Sequence, residues 1–412
     1  MLSRNLQKRV KDALEHFPVV ALLGARQSGK TTLARMQCPE WKYFDLERAS
    51  DLDFVTRDFD FFFAHHPNGI VFDEVQNCPP LLRELRGVID ADRGRKGRFL
   101  LTGSSAPSLL KGISESLAGR IAIIEVGTLK LNEIRKRELS DFYRILAEVP
   151  SESQFEHLQK LVPQFSDEDM LGHFLHGGYP EPILSDASGF FETWMANYER
   201  TYLDRDVRGL FPRLDARSFQ RFLRMLADLS GTIINRCEVA RSLGCSESAV
   251  RDYLEIAEGT FLWRSISSLE KTISKSLVKM PRGYIRDSGL LHHLQGVRTI
   301  DQVLSHPRTG AAFEGHVVEQ ILLGLQAVEK IPWESAYYRT RSGAEVDLVL
   351  TSPCGLRIPV EIKFGMSIRT GDLRSLAAFV ENENCPYGII VNNAPEVRLL
   401  AARLLQIPAT CL

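Results

Sequence analysis

Membrane-length apolar runs are absent from these 412 residues. None approaches the roughly 18 consecutive apolar residues that a membrane helix needs, so no membrane partner is expected. The opening stretch, Met1 to Arg9, is polar and lacks the apolar centre of a signal peptide. Cysteine is sparse: seven residues, an odd number, with no C-x-x-C pair. That pattern argues against a disulfide framework and a zinc site, and for reduced thiols in a cytoplasmic protein. An excess of either charge is missing too. With 51 Lys+Arg against 52 Asp+Glu the formal net charge is -1, which exerts no global pull toward nucleic acid; a local basic surface stays compatible with it. Low-complexity tracts and internal repeats are also lacking. What is left is ordinary globular chain, 44% hydrophobic and 25% charged. It is long enough for roughly two to four domains with real cores.

Against that plain background one stretch stands out. Gly24-Ala25-Arg26-Gln27-Ser28-Gly29-Lys30-Thr31 matches the phosphate-cradling pattern G-x-x-x-x-G-K-[ST]. The apolar run Val19 to Leu23 precedes it, and Thr32-Leu33-Ala34-Arg35 can continue as a helix. The glycines permit a tight loop whose N–H groups face phosphate oxygens. Lys30 can reach the terminal phosphates and Thr31 can bind Mg²⁺. The cofactors expected are therefore ATP and Mg²⁺. Gly69-Ile70-Val71-Phe72-Asp73-Glu74 is an apolar strand ending in two acids. Asp73 would complete the metal shell, and Glu74 would orient and activate water. Glu74 beside Asp73 favours water over an acceptor hydroxyl, which argues against a kinase. A further strand, Phe99-Leu100-Leu101, ends in Thr102-Gly103-Ser104-Ser105, where a hydroxyl could sense the γ-phosphate. Arg120, in Leu117-Ala118-Gly119-Arg120, is either a surface residue or an arginine finger. Such a finger acts on its own site or, in a homo-oligomer, on a neighbour's.

These motifs, with Val71 to Gln76, together resemble the AAA+-type ATPases of bacteria and archaea that carry a C-terminal restriction-endonuclease-like domain. The resemblance extends through Gly178-Tyr179-Pro180-Glu181, Thr201 to Val207, and Ile285-Arg286-Asp287-Ser288-Gly289-Leu290, and so covers nearly the whole chain. It implies an α/β fold class: a P-loop ATPase core with a parallel sheet, a helical lid, a winged helix and a nuclease-like last domain. The corresponding segments are 1–130, 131–230, 231–303 and 304–412. It also favours Ser104 as sensor and Arg120 as finger.

The residues support these divisions in part. Short apolar strands alternate with helices up to about Val126, the pattern of a covered parallel sheet. No convincing strand follows until about Leu229. Glu238 to Leu243, then Gly244-Cys245-Ser246, then Glu247 to Glu258 make a helix-turn-helix outline. Its second helix sets Glu247, Asp252, Glu255 and Glu258 against Arg251 alone, which opposes phosphate contact. Packing or protein contact is the competing use. The basic residues after it, Lys271, Lys275, Lys279 and Arg282, form either a wing that touches a nucleic-acid backbone or a solvated face.

The last segment carries Glu314 on a helix, Asp347 on a strand, a turn, and Glu361-x-Lys363 on the next strand. Alternation along a strand puts Glu361 and Lys363 on one face. That order resembles the PD-(D/E)xK nuclease core. The likeness implies that Asp347 and Glu361 hold Mg²⁺, that Lys363 places water, and that Glu314 is an accessory metal ligand. Two outputs are open: a nuclease acting on DNA or RNA, gated by ATP turnover, or a regulatory switch that binds a protein or DNA partner through a silent nuclease fold.

Overall fold

The computed structural model describes residues 2–104, 112–113, 115–202, 215–269, 281–340 and 344–412. Ser105, Leu203 to Val207, Lys271, Lys275 and Lys279 lie outside the described residues. The chain divides into two compact units. The first comprises Met1–Leu129, Tyr179–Glu181 and Glu255–Leu262; the second comprises Lys130–Gly178, Pro182–Leu254 and Trp263–Leu412. The segments 131–230, 231–303 and 304–412, drawn apart on sequence, thus fall mostly within one unit. Among the described residues no helix is long and apolar enough to cross a membrane.

Among the described residues of the first unit, helices are interspersed with five strands. They are α1 (Gln7–His16), β1 (Val19–Leu23), α2 (Lys30–Gln37), β2 (Lys42–Asp45), α3 (Ala49–Thr56), α4 (Phe59–His65), β3 (Ile70–Asp73), α5 (Leu81–Ala91), β4 (Phe99–Gly103) and β5 (Ile121–Glu125). The strand order is β2-β3-β4-β1-β5, and every pairing is parallel. β1, β3 and β4 are buried along their whole length. A strand covered on both faces has no reason to alternate, which is why these read as unbroken apolar runs. One cover is α5, whose Leu81, Leu82, Leu85 and Ile89 recur at helical spacing and are all buried. They join Phe62, Phe63, Phe72 and Phe99 in one core cluster. Burial of each such side chain contributes about 1.5–3 kcal/mol. This core fixes β1, β3 and β4 side by side, so the loops leaving their carboxyl ends converge on one edge. In open parallel sheets that edge is where ligands bind.

The second unit begins with helices and ends in a mixed nine-stranded sheet, ordered β13-β14-β12-β11-β10-β9-β7-β8-β6. The strands are β6 (Thr232–Ile233), β7 (Trp263–Ser268), β8 (Arg282–Ile285), β9 (Glu334–Arg339), β10 (Glu345–Thr351), β11 (Arg357–Ile362), β12 (Gly388–Asn392), β13 (Arg398–Ala401) and β14 (Leu404–Pro408). β6, β7, β8, β13 and β14 were not read from the sequence, and β11 ends at Ile362, one residue short of Lys363. Between β6 and β7 lie the helices Arg236–Leu243 and Glu247–Gly259, the second of which is counted with the first unit from Glu255. Val239, Ala240, Leu243, Val250, Tyr253 and Ala257 are buried, so the apolar faces of this pair are spent on packing. Its acids, Glu247, Asp252, Glu255 and Glu258, are exposed. The helix Thr309–Val328 carries Glu314. β10 and β11 form an antiparallel hairpin with Leu348 opposite Val360. The pairing of β10 with β9 shifts register between Val346 and Val349, an irregularity that contains Asp347.

Candidate functional sites: the phosphate loop and the acidic cluster

β1 delivers the loop directly. Gly24 still donates its N–H to Gly103 O at 3.3 Å, as though the strand continued. A Cβ there would lie 2.1 Å from Val126 O, so only glycine fits. Gln27 and Gly29 adopt φ of 63° and 91°, left-handed conformations that fold the chain back into α2. Ala25 and Ser28 are buried, Arg26 is half-buried, and Gln27 and Thr32 face out. Arg4 ties the loop down from the N-terminal segment, donating to Ser28 O at 2.9 Å and Gly127 O at 2.8 Å. No pattern in the sequence marks Arg4, because its role depends on a carbonyl far along the chain. Lys30 Nζ bends over the loop, 3.0 Å from Gly24 O and 2.8 Å from Ala25 O. Ser28 Oγ is buried with no hydrogen-bond partner among the described residues. A cradle with an ammonium at its mouth and an unused buried hydroxyl fits an anionic phosphate.

Three hydroxyls converge on the Asp73 carboxylate. Thr31 Oγ1 donates to it at 2.9 and 3.1 Å, and Tyr43 Oη and Thr102 Oγ1 also donate. Burial, and then the bond to Asp73, pushes the Tyr43 phenol above its ordinary value. A hydroxyl and a carboxylate meeting at the carboxyl edge of the sheet are the donor set a Mg²⁺ beside phosphates requires. Glu74 follows in a left-handed conformation, φ 55° and ψ 51°, a strained setting for a residue with a side chain. It is held at both ends. Its N–H donates to Thr102 Oγ1 at 3.1 Å. Its carboxylate accepts from Ser104 Oγ at 2.9 Å and from Gln76 Nε2. Tyr43 and Gln76 had no assigned role on sequence, and Thr102 figured only among the hydroxyls that could sense the γ-phosphate. A polar residue closing an apolar strand was the available signal.

Arg120 requires a correction. Its carbonyl accepts from Val19 N at 3.3 Å, and Ile121 pairs with Val19. It therefore lies at the amino edge of the sheet, a strand length away from the loop that leaves Leu23. Its guanidinium pairs with Asp90 at 2.8 and 3.0 Å. This pair holds the Asp90 carboxyl down at about 2. A finger acting on its own phosphate loop is excluded by that placement.

In the second unit Glu314, Asp347, Glu361 and Lys363 do come together. Lys363 Nζ is 2.5 Å from Glu361 Oε1 and 3.8 Å from Asp347 Oδ2. Asp347 Oδ2 also accepts from Ile362 N at 2.9 Å. Burial, and then Asp347, pushes the Glu314 carboxyl up to about 7 and the Glu361 carboxyl up to about 8. The unexpected member is Arg282. Expected on a wing or a solvated face, it is buried inside the cluster at 6% exposure. Its Nη1 is 2.7 Å from Glu314 Oε1 and 3.3 Å from Asp347 Oδ1, and its Nη2 pairs with Glu345. Tyr284 Oη donates to Glu314 at 2.5 Å. Burial opposes the Arg282 charge, but Glu314, Tyr284 and Asp347 outweigh it, so the guanidinium stays firmly protonated. The expectation that Glu314, Asp347 and Glu361 jointly hold Mg²⁺ does not fit this arrangement, because a guanidinium already takes the oxygens of Glu314 and Asp347. Among the described residues no group of three or more His, Cys, Asp and Glu is arranged to hold a metal ion.

Comparison with known proteins bears on the kind of domain the first unit contains. Residues 16–135 match the family model described as AAA domain. Residues 167–301 and 309–412 match two domains of unknown function, DUF8612 and DUF4143. Among solved structures, the Walker-type ATPase PABY2304 of Pyrococcus abyssi overlaps 72% of this chain and 96% of its own, at 18% identity and a TM-score of 0.42. The RuvB Holliday junction branch migration motor of Thermotoga maritima overlaps 63% and 87%, at 18% identity and a TM-score of 0.28. Two mycobacterial proteins, Rv2008c of Mycobacterium tuberculosis and Mb2031c of Mycobacterium bovis, are each 32% identical over 350 residues, covering 84% of this chain and 70% of theirs. The chain therefore belongs to the family of the uncharacterized proteins Rv2008c and Mb2031c, and its first unit contains an AAA domain.

Proposed function

We propose that the first unit binds ATP with Mg²⁺ and hydrolyses it to ADP and phosphate. One observation carries this: the Thr31 hydroxyl lies 2.9 Å from the Asp73 carboxylate, with Glu74 next in the chain. Thr31 and Asp73 would hold the ion, which when bound offsets charge on the phosphates. Residues Gly24 to Lys30 would take phosphate oxygens through their N–H groups and the Lys30 ammonium. Glu74 would accept a proton from the attacking water. Ser104 and Gln76 hold the Glu74 carboxylate, and Ser104 would report the γ-phosphate to it. Arg120 would serve only a neighbouring copy, in a homo-oligomer.

The second unit is read as the output: a helical lid, a winged helix built on β6 to β8, and a restriction-endonuclease-like end. The meeting of Glu314, Asp347, Glu361 and Lys363 supports that last part. It admits a nuclease acting on DNA or RNA, or a regulatory switch that binds a protein or DNA partner through a silent fold. Arg282 inside the cluster favours the switch. Cutting of labelled DNA or RNA, lost in Asp347→Ala, would favour the nuclease instead. Glu74→Gln tests the first unit. It should retain binding of a fluorescent ATP analogue and lose turnover by roughly 100-fold or more. Unaltered turnover would sink the assigned base.

A further inference from the structure

We infer that Arg282 is the resident cation of the second unit's acidic cluster and decides its cation specificity: the cluster takes no divalent ion while β8 keeps the guanidinium there. This rests on reading the cluster as the nuclease-like site, not on the ATPase reading.

The geometry makes the two cations mutually exclusive. Mg²⁺ needs oxygens at about 2.0–2.1 Å in near-octahedral array. Arg282 Nη1 lies 2.7 Å from Glu314 Oε1 and 3.3 Å from Asp347 Oδ1, in the space such an ion would need. A guanidinium is planar and permanently charged, with donors splayed to meet several carboxylates at once. Arg282 uses that shape, reaching Glu314, Asp347 and Glu345 from one buried position. Its ring neighbour is Tyr337, 5.4 Å from Cζ to the ring centroid. The placement is anchored. On the same side of the sheet, Arg264 and Arg286 bind Glu319, at 2.6 and 2.5 Å, on the helix that carries Glu314.

A second observation separates this from ordinary charge pairing. Glu361 is 6% exposed, and its Oε2 has no hydrogen-bond partner among the described residues. A buried carboxylate oxygen without a donor costs stability. Arg282 satisfies Glu314 and Asp347, and Lys363 satisfies Glu361 Oε1. The leftover Glu361 oxygen would be a free ligand for an ion once the guanidinium left.

The test uses the full chain without nucleotide and Mn²⁺ as the probe, with bound ion read by electron paramagnetic resonance. The natural sequence should show no Mn²⁺ whose binding is lost in Asp347→Asn. Arg282→Gln should gain one such ion, lost again when Glu361→Gln is added. Asp347-dependent Mn²⁺ in the natural sequence overturns the inference, as does a folded Arg282→Gln that binds none. If Arg282→Gln does not fold, Arg282→Lys keeps the charge but cannot bridge the three acids. It should admit Mn²⁺ weakly, and its failure to do so when folded has the same force. ATP turnover, measured alongside, reports on the other unit alone.

Discussion

Removing the Thr102 hydroxyl should carry a large cost for one atom. Its hydroxyl is fully buried, donates to Asp73 Oδ1 and accepts from Glu74 N at 3.1 Å. Thr102→Val preserves shape and deletes both bonds. A hydrogen bond to a charged group contributes about 1.5–3 kcal/mol, and an orphaned buried N–H costs about 1–3 kcal/mol. Asp73 keeps Thr31 and Tyr43 as donors, so the net loss should be near 2–4 kcal/mol. Thr102→Ser keeps the hydroxyl and loses a methyl, roughly 1 kcal/mol. Hydrogen exchange of the slowest β3 and β4 amides reads the first unit by itself. Exchange should quicken roughly 30- to 1,000-fold in Thr102→Val, and about fivefold in Thr102→Ser. Turnover should also fall in Thr102→Val, because the left-handed Glu74 backbone loses the contact that holds it. If Thr102→Val exchanges no faster than Thr102→Ser, the hydroxyl is not what holds Asp73 and Glu74.

Two other outcomes follow from the same structure. Gly24→Ala drives a Cβ to 2.1 Å from Val126 O. It should destabilise the first unit by about 3 kcal/mol and abolish binding of the fluorescent ATP analogue; binding at the natural affinity would contradict the loop geometry. Lys130 is fully buried against Tyr143 Oη and Gln320, and burial pushes its ammonium down to about 7. Above that value the unfolded chain binds this proton and the folded chain does not, so Lys130 itself contributes stability that rises by up to roughly 1.4 kcal/mol per pH unit; up to about pH 8 the raised Glu314 and Glu361 carboxyls act in the opposite direction. The window closes near pH 8.5, where thiols such as Cys385, pushed up by burial to about 11, begin to oppose it. The pH dependence of the urea midpoint across that window should lose this rising contribution in Lys130→Met, and an unchanged slope would refute the assignment.

The legible parts of this chain were those with a short-range cause. The runs Val19 to Leu23 and Phe99 to Leu101 are continuous because both faces of their sheet are covered. β13, Arg398–Ala401, is largely exposed, and β7 reads Trp-Arg-Ser-Ile-Ser-Ser with a mixed burial pattern. Neither has an apolar period to find. Arg282 was counted with its basic neighbours because charge is the only property a window of sequence shows. Its burial depends on carboxylates supplied by β10 and the helix Thr309–Val328.

The sequence by itself determined the phosphate loop: strand, left-handed glycine turn and helix follow one another without a gap, and their backbone demands are local. It also supplied Asp73 and Glu74 as a strand end with two acids. Only the tertiary structure decided what these groups meet. Strand order brought Tyr43 and Thr102 to Asp73 and left Arg120 at the opposite edge. Sheet pairing in the second unit carried Arg282 into the acids. Long polar side chains go where burial leaves a charge to be neutralised, and that place exists only after distant segments have packed.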